Sequence, residues 1–128
     1  MRVTSDFFVS ALVRKTFNGS GFAAVSKRGA AEAGAIFVVV DRLDGTLDLY
    51  GPAPQAMFSD HPQGRLFEKI LDRTDKTAID GRLDREARMD PDYWVVDIEA
   101  RDGAVDLPLA QDPDTDKKDD PAKGLFRF

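Results

Sequence analysis

The stretch Arg88-Met89-Asp90-Pro91-Asp92-Tyr93-Trp94-Val95-Val96-Asp97-Ile98-Glu99 decides the fold, because a charged helix stops there at a proline and hands over to a strand. The proline ring disfavours helical geometry for the residue before it, so Asp90 is expected to end the helix. From Tyr93 to Glu99 aromatic and β-branched residues alternate with carboxylates, the pattern of a half-buried strand. Trp94, Val96 and Ile98 share one face and are expected to point to the core. Asp97 and Glu99 are expected to face water, with Tyr93 and Val95 intermediate. Nothing in the stretch is a known reaction centre.

Working back from it, Thr74 or Asp75 can cap a helix over Lys76 to Met89 in which Ile79, Leu83 and Ala87 form a narrow apolar stripe. Asp84 and Arg88 can pair at four-residue spacing, and Gly81 weakens the helix by about 1 kcal/mol relative to Ala. In Arg65 to Arg73 the residues Leu66, Phe67, Ile70 and Leu71 fit helical spacing better than strict alternation. Lying between turn signals, the segment reads as a strand, with a helix as the open alternative. Gly51-Pro52-Ala53-Pro54-Gln55 and Ser59 to Gly64 read as loop, the latter holding the sole His, His61.

Ala35-Ile36-Phe37-Val38-Val39-Val40 is the strongest strand signal, and its unbroken apolar character implies a central strand buried on both faces. Leu43-Asp44-Gly45-Thr46 then predicts a tight turn, and Leu47 to Tyr50 completes a hairpin. Phe22 to Arg28 predicts another short strand. Ser5 or Asp6 can cap a first helix, Asp6 to Phe17, whose Phe8, Val9, Leu12, Val13 and Phe17 recur at helical spacing. Asn18-Gly19-Ser20-Gly21 ends it, the glycines supplying the left-handed residue.

With 128 residues, 42% hydrophobic and 32% charged, the chain holds enough apolar mass for one soluble core and no second domain. The absence of Cys excludes disulfides, thiolate zinc sites and cysteine nucleophiles. No apolar run approaches a membrane span or export signal, so a cytoplasmic protein is expected. A net charge of -5 and pI near 4.8 make nucleic acid a poor partner, since little counterion release is gained on a phosphate backbone. From about Ala104 the composition changes. Asp112, Asp114, Asp116, Asp119 and Asp120 are interleaved with Pro113, Pro121, Lys117 and Lys118, a segment unable to offset its ordering entropy.

The expected fold is therefore α+β, an antiparallel sheet of four or five strands with two helices packed on one face. It is expected to span residues 1–103 as a single domain, followed by a tail over 104–128 with an apolar tip at Leu125, Phe126 and Phe128.

Several pieces, in order, carry a family likeness: Phe8-Val9-Ser10-Ala11-Leu12, Gly21-Phe22-Ala23, Arg28-Gly29, Ala33-Gly34-Ala35-Ile36 and Asp90-Pro91-Asp92-Tyr93-Trp94-Val95-Val96. Together, over roughly residues 3–100, the chain resembles a small bacterial family known as domain of unknown function 1491, found chiefly in alphaproteobacteria. The resemblance implies a compact cytoplasmic α+β domain and brings no activity, substrate or catalytic residue with it. An acidic residue often follows the Arg-Gly step in that family, where this chain has Ala30.

The candidate chemistry is sparse. Gly19-Ser20-Gly21 follows a helix, so the nearest helix end offers carbonyls rather than the amide donors a phosphate needs. His61 beside Ser59 and Asp60 reads as solvated loop, because triads are assembled from separate elements. With one His and no Cys, only carboxylates such as Asp90, Asp92 and Asp97 are left for a weak Mg²⁺ or Ca²⁺ site, and these read better as helix-end turn chemistry. Asp97-x-Glu99-x-Arg101 puts two acids and a cation on one strand face, as metal-dependent nucleases do, but lacks a complementary acid. Trp94 reads as a core anchor.

No catalytic residue, metal or cofactor is assigned. The sequence points to a non-catalytic binding or scaffolding module for a protein partner or for itself, using edge strands and the Leu125, Phe126 and Phe128 tip. The alternative is a small-ligand binder or enzyme with a groove near Arg28, Tyr50, Gln55 and Asp92.

Overall fold

The computed structural model describes residues 3–54 and 65–110. Elements follow in the order α1 (Ser5–Asn18), β1 (Phe22–Lys27), β2 (Ile36–Asp41), β3 (Leu47–Pro52), β4 (Phe67–Thr74), α2 (Lys76–Met89) and β5 (Trp94–Glu99). The strands form one sheet in the order β1-β5-β2-β3-β4, with β2 at its centre. The α+β class and a five-stranded sheet agree with the expectation, as do the β2–β3 hairpin and the strand reading of the segment around Phe67.

Two features of the architecture differ. The sheet is mixed, because β5 runs parallel to β2, Ile36 opposite Trp94 and Asp41 opposite Glu99, while the other three pairs are antiparallel. The helices also lie on opposite faces rather than on one. Val9 and Leu12 of α1 pack with Ile36, Val38, Val40, Trp94, Val96 and Ile98. Ile79 of α2 packs with the alternate residues Phe37, Val39, Tyr93 and Val95, backed by Leu83 and Ala87. The cause lies in the strands: β2 and β5 are apolar on both sides, so each face needs its own cover. Tyr93 and Val95 are accordingly core residues, with the Tyr93 ring edge-on to Phe37 at 5.5 Å.

The ends of the elements follow local chemistry. Thr4 caps α1, its hydroxyl accepting from the Phe7 N–H at 3.2 Å, in place of Ser5 or Asp6. Ser5 instead is fully buried and donates to the Gly34 carbonyl at 2.5 Å. The left-handed residue after α1 is Ser20, φ 69°, rather than a glycine. Asp75 caps α2, accepting from the Ala78 N–H at 2.8 Å. Along α2 the four-residue ion pairs among the described residues are Lys76–Asp80 and Arg82–Glu86, not Asp84–Arg88.

The hairpin is locked by charge. Asp48, fully buried, accepts from Arg42 Nε at 3.0 Å and from the Arg73 N–H at 2.8 Å, with Arg42 Nη2 at 2.8 Å. The guanidinium lies against Gly103, φ 74°, where a Cβ would stand 2.5 Å from it. Beyond Gly103 the chain continues to pack: Leu107 is buried on the α1 face and Leu109 bridges to Phe67.

Candidate functional site

α2 lies mainly over the β3 and β4 half of the sheet, with Ile79 reaching across to Val39 and Val95. The β1, β5 and β2 half of the same face is left as an open groove of about 440 Å³. Strand register sets its floor in rows. Ala24, Asp97 and Val39 stand side by side, and Phe22, Glu99 and Asp41 form the next row. Small residues, Ala24 and Ser26, keep the β1 side low. Ile79, Leu83, Lys76 and Asp80 of α2 make the opposite wall.

The groove is apolar below and acidic above. Asp41, Asp80, Asp97 and Glu99 line it against one cation, Lys76, which is engaged at 3.0 Å by Asp80. Asp97 is part-buried in the floor, and the loss of hydration pushes its carboxyl above the usual Asp range. The Ser26 hydroxyl and Lys76 act in the opposite sense, and the Asp41 charge adds to the rise. Among the described residues Asp97 has no salt-bridge partner, so a cation entering the groove would meet a carboxylate waiting for one.

β1 borders this groove as a sheet edge, its outer side unpaired by any described strand. It carries one charge, Lys27, whereas the other edge, β4, carries Glu68, Lys69, Asp72 and Arg73. Such charges blunt an edge against pairing, and β1 lacks them apart from an irregularity between Val25 and Lys27. Phe22 at the β1 end and Phe17 of α1 are both exposed and meet edge-on at 5.7 Å.

The residues singled out from sequence do not assemble as one groove. Tyr50 is buried on the α1 face at 4% exposure, with Lys69 over its ring at 5.6 Å. Arg28 follows β1, three strands away in sheet order and so about 14 Å off laterally. Its guanidinium lies 5.0 Å from the Trp94 ring centre and 3.7 Å from Asp6, over a shallow α1-side depression. Asp92 is nearer to Arg28, its carbonyl accepting from the Ala30 N–H at 2.9 Å, but its side chain is exposed. Gln55, Leu125, Phe126 and Phe128 lie outside the described residues, as does His61.

Sequence reading missed the groove because its members are unremarkable one by one. The available signals were the small residues Ala24 and Ser26 on one face of an edge strand and the single acid, Asp97, interrupting an apolar run. Among the described residues no three His, Cys, Asp or Glu side chains converge to hold a metal ion. No described helix is long and apolar enough to cross a membrane.

The family model described as "Protein of unknown function (DUF1491)" matches residues 3–107. The chain belongs to this bacterial family. Among solved DUF1491 relatives, the solution structure of protein Atu0922 from A. tumefaciens is 46% identical, with a TM-score of 0.76 over 88% of this chain and 98% of that one. The crystal structure of a DUF1491 family protein from Caulobacter crescentus CB15 is 36% identical, with a TM-score of 0.68 over 87% of this chain and 100% of that one. An NMR structure of a DUF1491 family protein from Caulobacter crescentus CB15 gives the same identity and TM-score, over 87% and 99%. No curated protein matches the chain. The DUF1491 match takes in every residue lining the groove and stops short of the Asp-rich segment.

Proposed function

We propose that this domain is a non-catalytic binding module for a protein partner, taking an extended partner segment along the β1 edge and over the α2-side groove. The observation that carries the reading is Asp97, a part-buried carboxylate with no described ion-pair partner, in the floor of an apolar groove beside an unpaired strand. Strand addition supplies main-chain hydrogen bonds, and alternate side chains of the added segment reach the floor. Ala24, Val39, Val95 and Leu83 favour apolar side chains there, while Asp97 with Asp41, Asp80 and Glu99 favours a Lys or Arg. The open side of the groove suits a chain segment better than a small ligand, which needs most of its surface enclosed.

Selection of peptides from a displayed library tests this. The selected sequences should carry a basic residue flanked by apolar ones. Calorimetric affinity should fall about tenfold in Asp97→Asn, the loss expected for one charge-assisted hydrogen bond. Ala24→Arg, which fills the floor, should abolish binding. Selected sequences without a basic residue, or undiminished binding to Ala24→Arg, would overturn the proposal.

A further inference from the structure

We propose that the β1 edge selects its partner strand by alternating charge: a Lys or Arg enters the acidic groove, and an Asp or Glu next to it in sequence meets Arg14 on the opposite face. This deepens the binding reading above and rests on it.

The edge divides two unlike surfaces. Phe22, Ala24 and Ser26 of β1 line the α2-side groove, where Asp41, Asp80, Asp97 and Glu99 stand against Lys76. Ala23 and Val25 turn the other way, towards the core beneath α1. On that side a depression of about 280 Å³ lies between α1 and β1, floored by Val13 and Val25. Its charges are Arg14 and Arg28 against Asp6. Arg14 is exposed and makes no ion pair among the described residues. Arg28 is held over the Trp94 ring at 5.0 Å and reaches Asp6 only at 3.7 Å, an exposed pair of little strength. The neighbouring lysines are committed elsewhere. Lys27 Nζ donates to the Pro91 and Tyr93 carbonyls at 2.6 and 2.9 Å, and Lys15 meets Asp106 at 3.4 Å. One unpaired strand therefore separates an acidic face from a basic one.

The relative levels of these charges fix the spacing. α1 and β1 run in opposite directions, joined at one end by Gly19 to Gly21 and tied at the other by Asp6 and Arg28. From that tie Arg14 lies eight residues along the helix, about 12 Å. Ala24 lies four residues back along the strand, about 13 Å. Arg14 thus stands at the level of Ala24, whose partner in β5 is Asp97. An added strand that turns one side chain towards Asp97 turns the residues before and after it towards α1, at the height of Arg14. The spacing is the same for either strand direction. Apolar residues fall two away from the basic one, on the groove side. An acid at that spacing would enter the groove and meet like charge. Arg28 extends the positive strip beyond the irregularity after Val25.

Two synthetic peptides test this, Thr-Val-Thr-Val-Glu-Lys-Glu-Val-Thr-Val and the same sequence with both Glu replaced by Thr. The protein's net charge of -5 disfavours the more acidic peptide, so a gain from Glu reports a local contact. By calorimetry the parent should bind the Glu peptide about threefold tighter, the effect of exposed ion pairs, and the difference should fade in about 0.5 M salt. The preference should disappear in Arg14→Gln and reverse in Arg14→Glu. Both changes are at an exposed helix position, and unaltered thermal midpoints should show that the fold is kept. Ala24→Arg should abolish binding of both peptides.

Equal or weaker binding of the Glu peptide by the parent, or a preference that persists in both Arg14 variants, would overturn the charge-alternation inference. Continued binding of the Thr peptide, lost in Ala24→Arg, would leave the binding module standing in that case. Failure of both peptides to bind the parent would remove both readings.

Discussion

Replacing Trp94 by Ala should remove a large part of the stability of the domain. The indole is 1% exposed and packs on the α1 face among Val9, Leu12, Ile36 and Val96. A buried Trp withdraws about 150–250 Å² from water, which at about 25 cal/mol per Å² corresponds to about 4–6 kcal/mol. Residual burial in the unfolded chain and the methyl that Ala retains lower the figure, and the cavity left behind raises it, giving about 3–5 kcal/mol. The polar part is smaller. Trp94 Nε1 donates to the Ala30 carbonyl at 2.8 Å, but that oxygen also accepts from the Gly34 N–H at 3.2 Å, so it would not be left unpaired. Trp94→Phe should therefore lose about 1–2 kcal/mol, mostly the hydrogen bond and a little volume. Domains of this size are stable by about 5–15 kcal/mol, so the Ala variant should still fold in dilute buffer while its urea midpoint drops sharply. Circular dichroism is the probe to use, because Trp94 is the sole tryptophan and fluorescence would vanish with it. A loss below about 1 kcal/mol at unchanged m would refute the argument and place the indole at the surface.

Asp97→Asn should stabilise the protein at neutral pH and not in acid. A carboxyl held above its ordinary value binds more protons folded than unfolded, so stability falls as pH rises from the usual Asp range through the raised one. Urea midpoints of parent and variant should diverge upward through that window, and a constant difference across pH would reject the assignment. Gly34→Ala should cost about 1–3 kcal/mol, because the new Cβ would stand 2.6 Å from the Asp92 carbonyl oxygen with backbone on both sides. Gly81→Ala, with nothing within 4 Å of the added carbon, should instead gain up to about 1 kcal/mol. Thermal unfolding of the two variants should move in opposite directions, and a shared direction would contradict the packing described.

Most elements could be read from local pattern. The proline at 91, the apolar run from Ala35 to Val40 and the Asp44-Gly45 turn act within a few residues, so they state helix end, central strand and hairpin without reference to the rest of the chain. The short aromatic run at Phe67 was ambiguous for the same reason, since periodicity over so few residues fits two structures. What completes α1 is not local: Thr4 caps it because Ser5 is drawn inward to the Gly34 carbonyl 29 residues away.

The candidate site was less legible than the core. Arg28, Tyr50 and Asp92 drew notice by residue type, yet Tyr50 is buried on the α1 face and Arg28 lies near the far edge. Asp97 was placed correctly on the face away from Trp94, but as a solvated charge. It is part-buried because it stands in the groove floor between Ala24 and Val39, with Lys76, Ile79, Asp80 and Leu83 of α2 forming one wall beside it.

By itself, then, the sequence determined which segments are helix and strand, that β2 is buried on both sides, and that the chain resembles one bacterial family. Local sterics and hydrophobic periodicity suffice for that. Only the tertiary structure decided the parallel pairing of β2 with β5, the helices on opposite faces, and the groove left where α2 does not reach. Each of these depends on which elements meet across the sheet. A strand apolar on both sides requires two covering layers, but nothing within it states which helix supplies each one, or how far the cover extends.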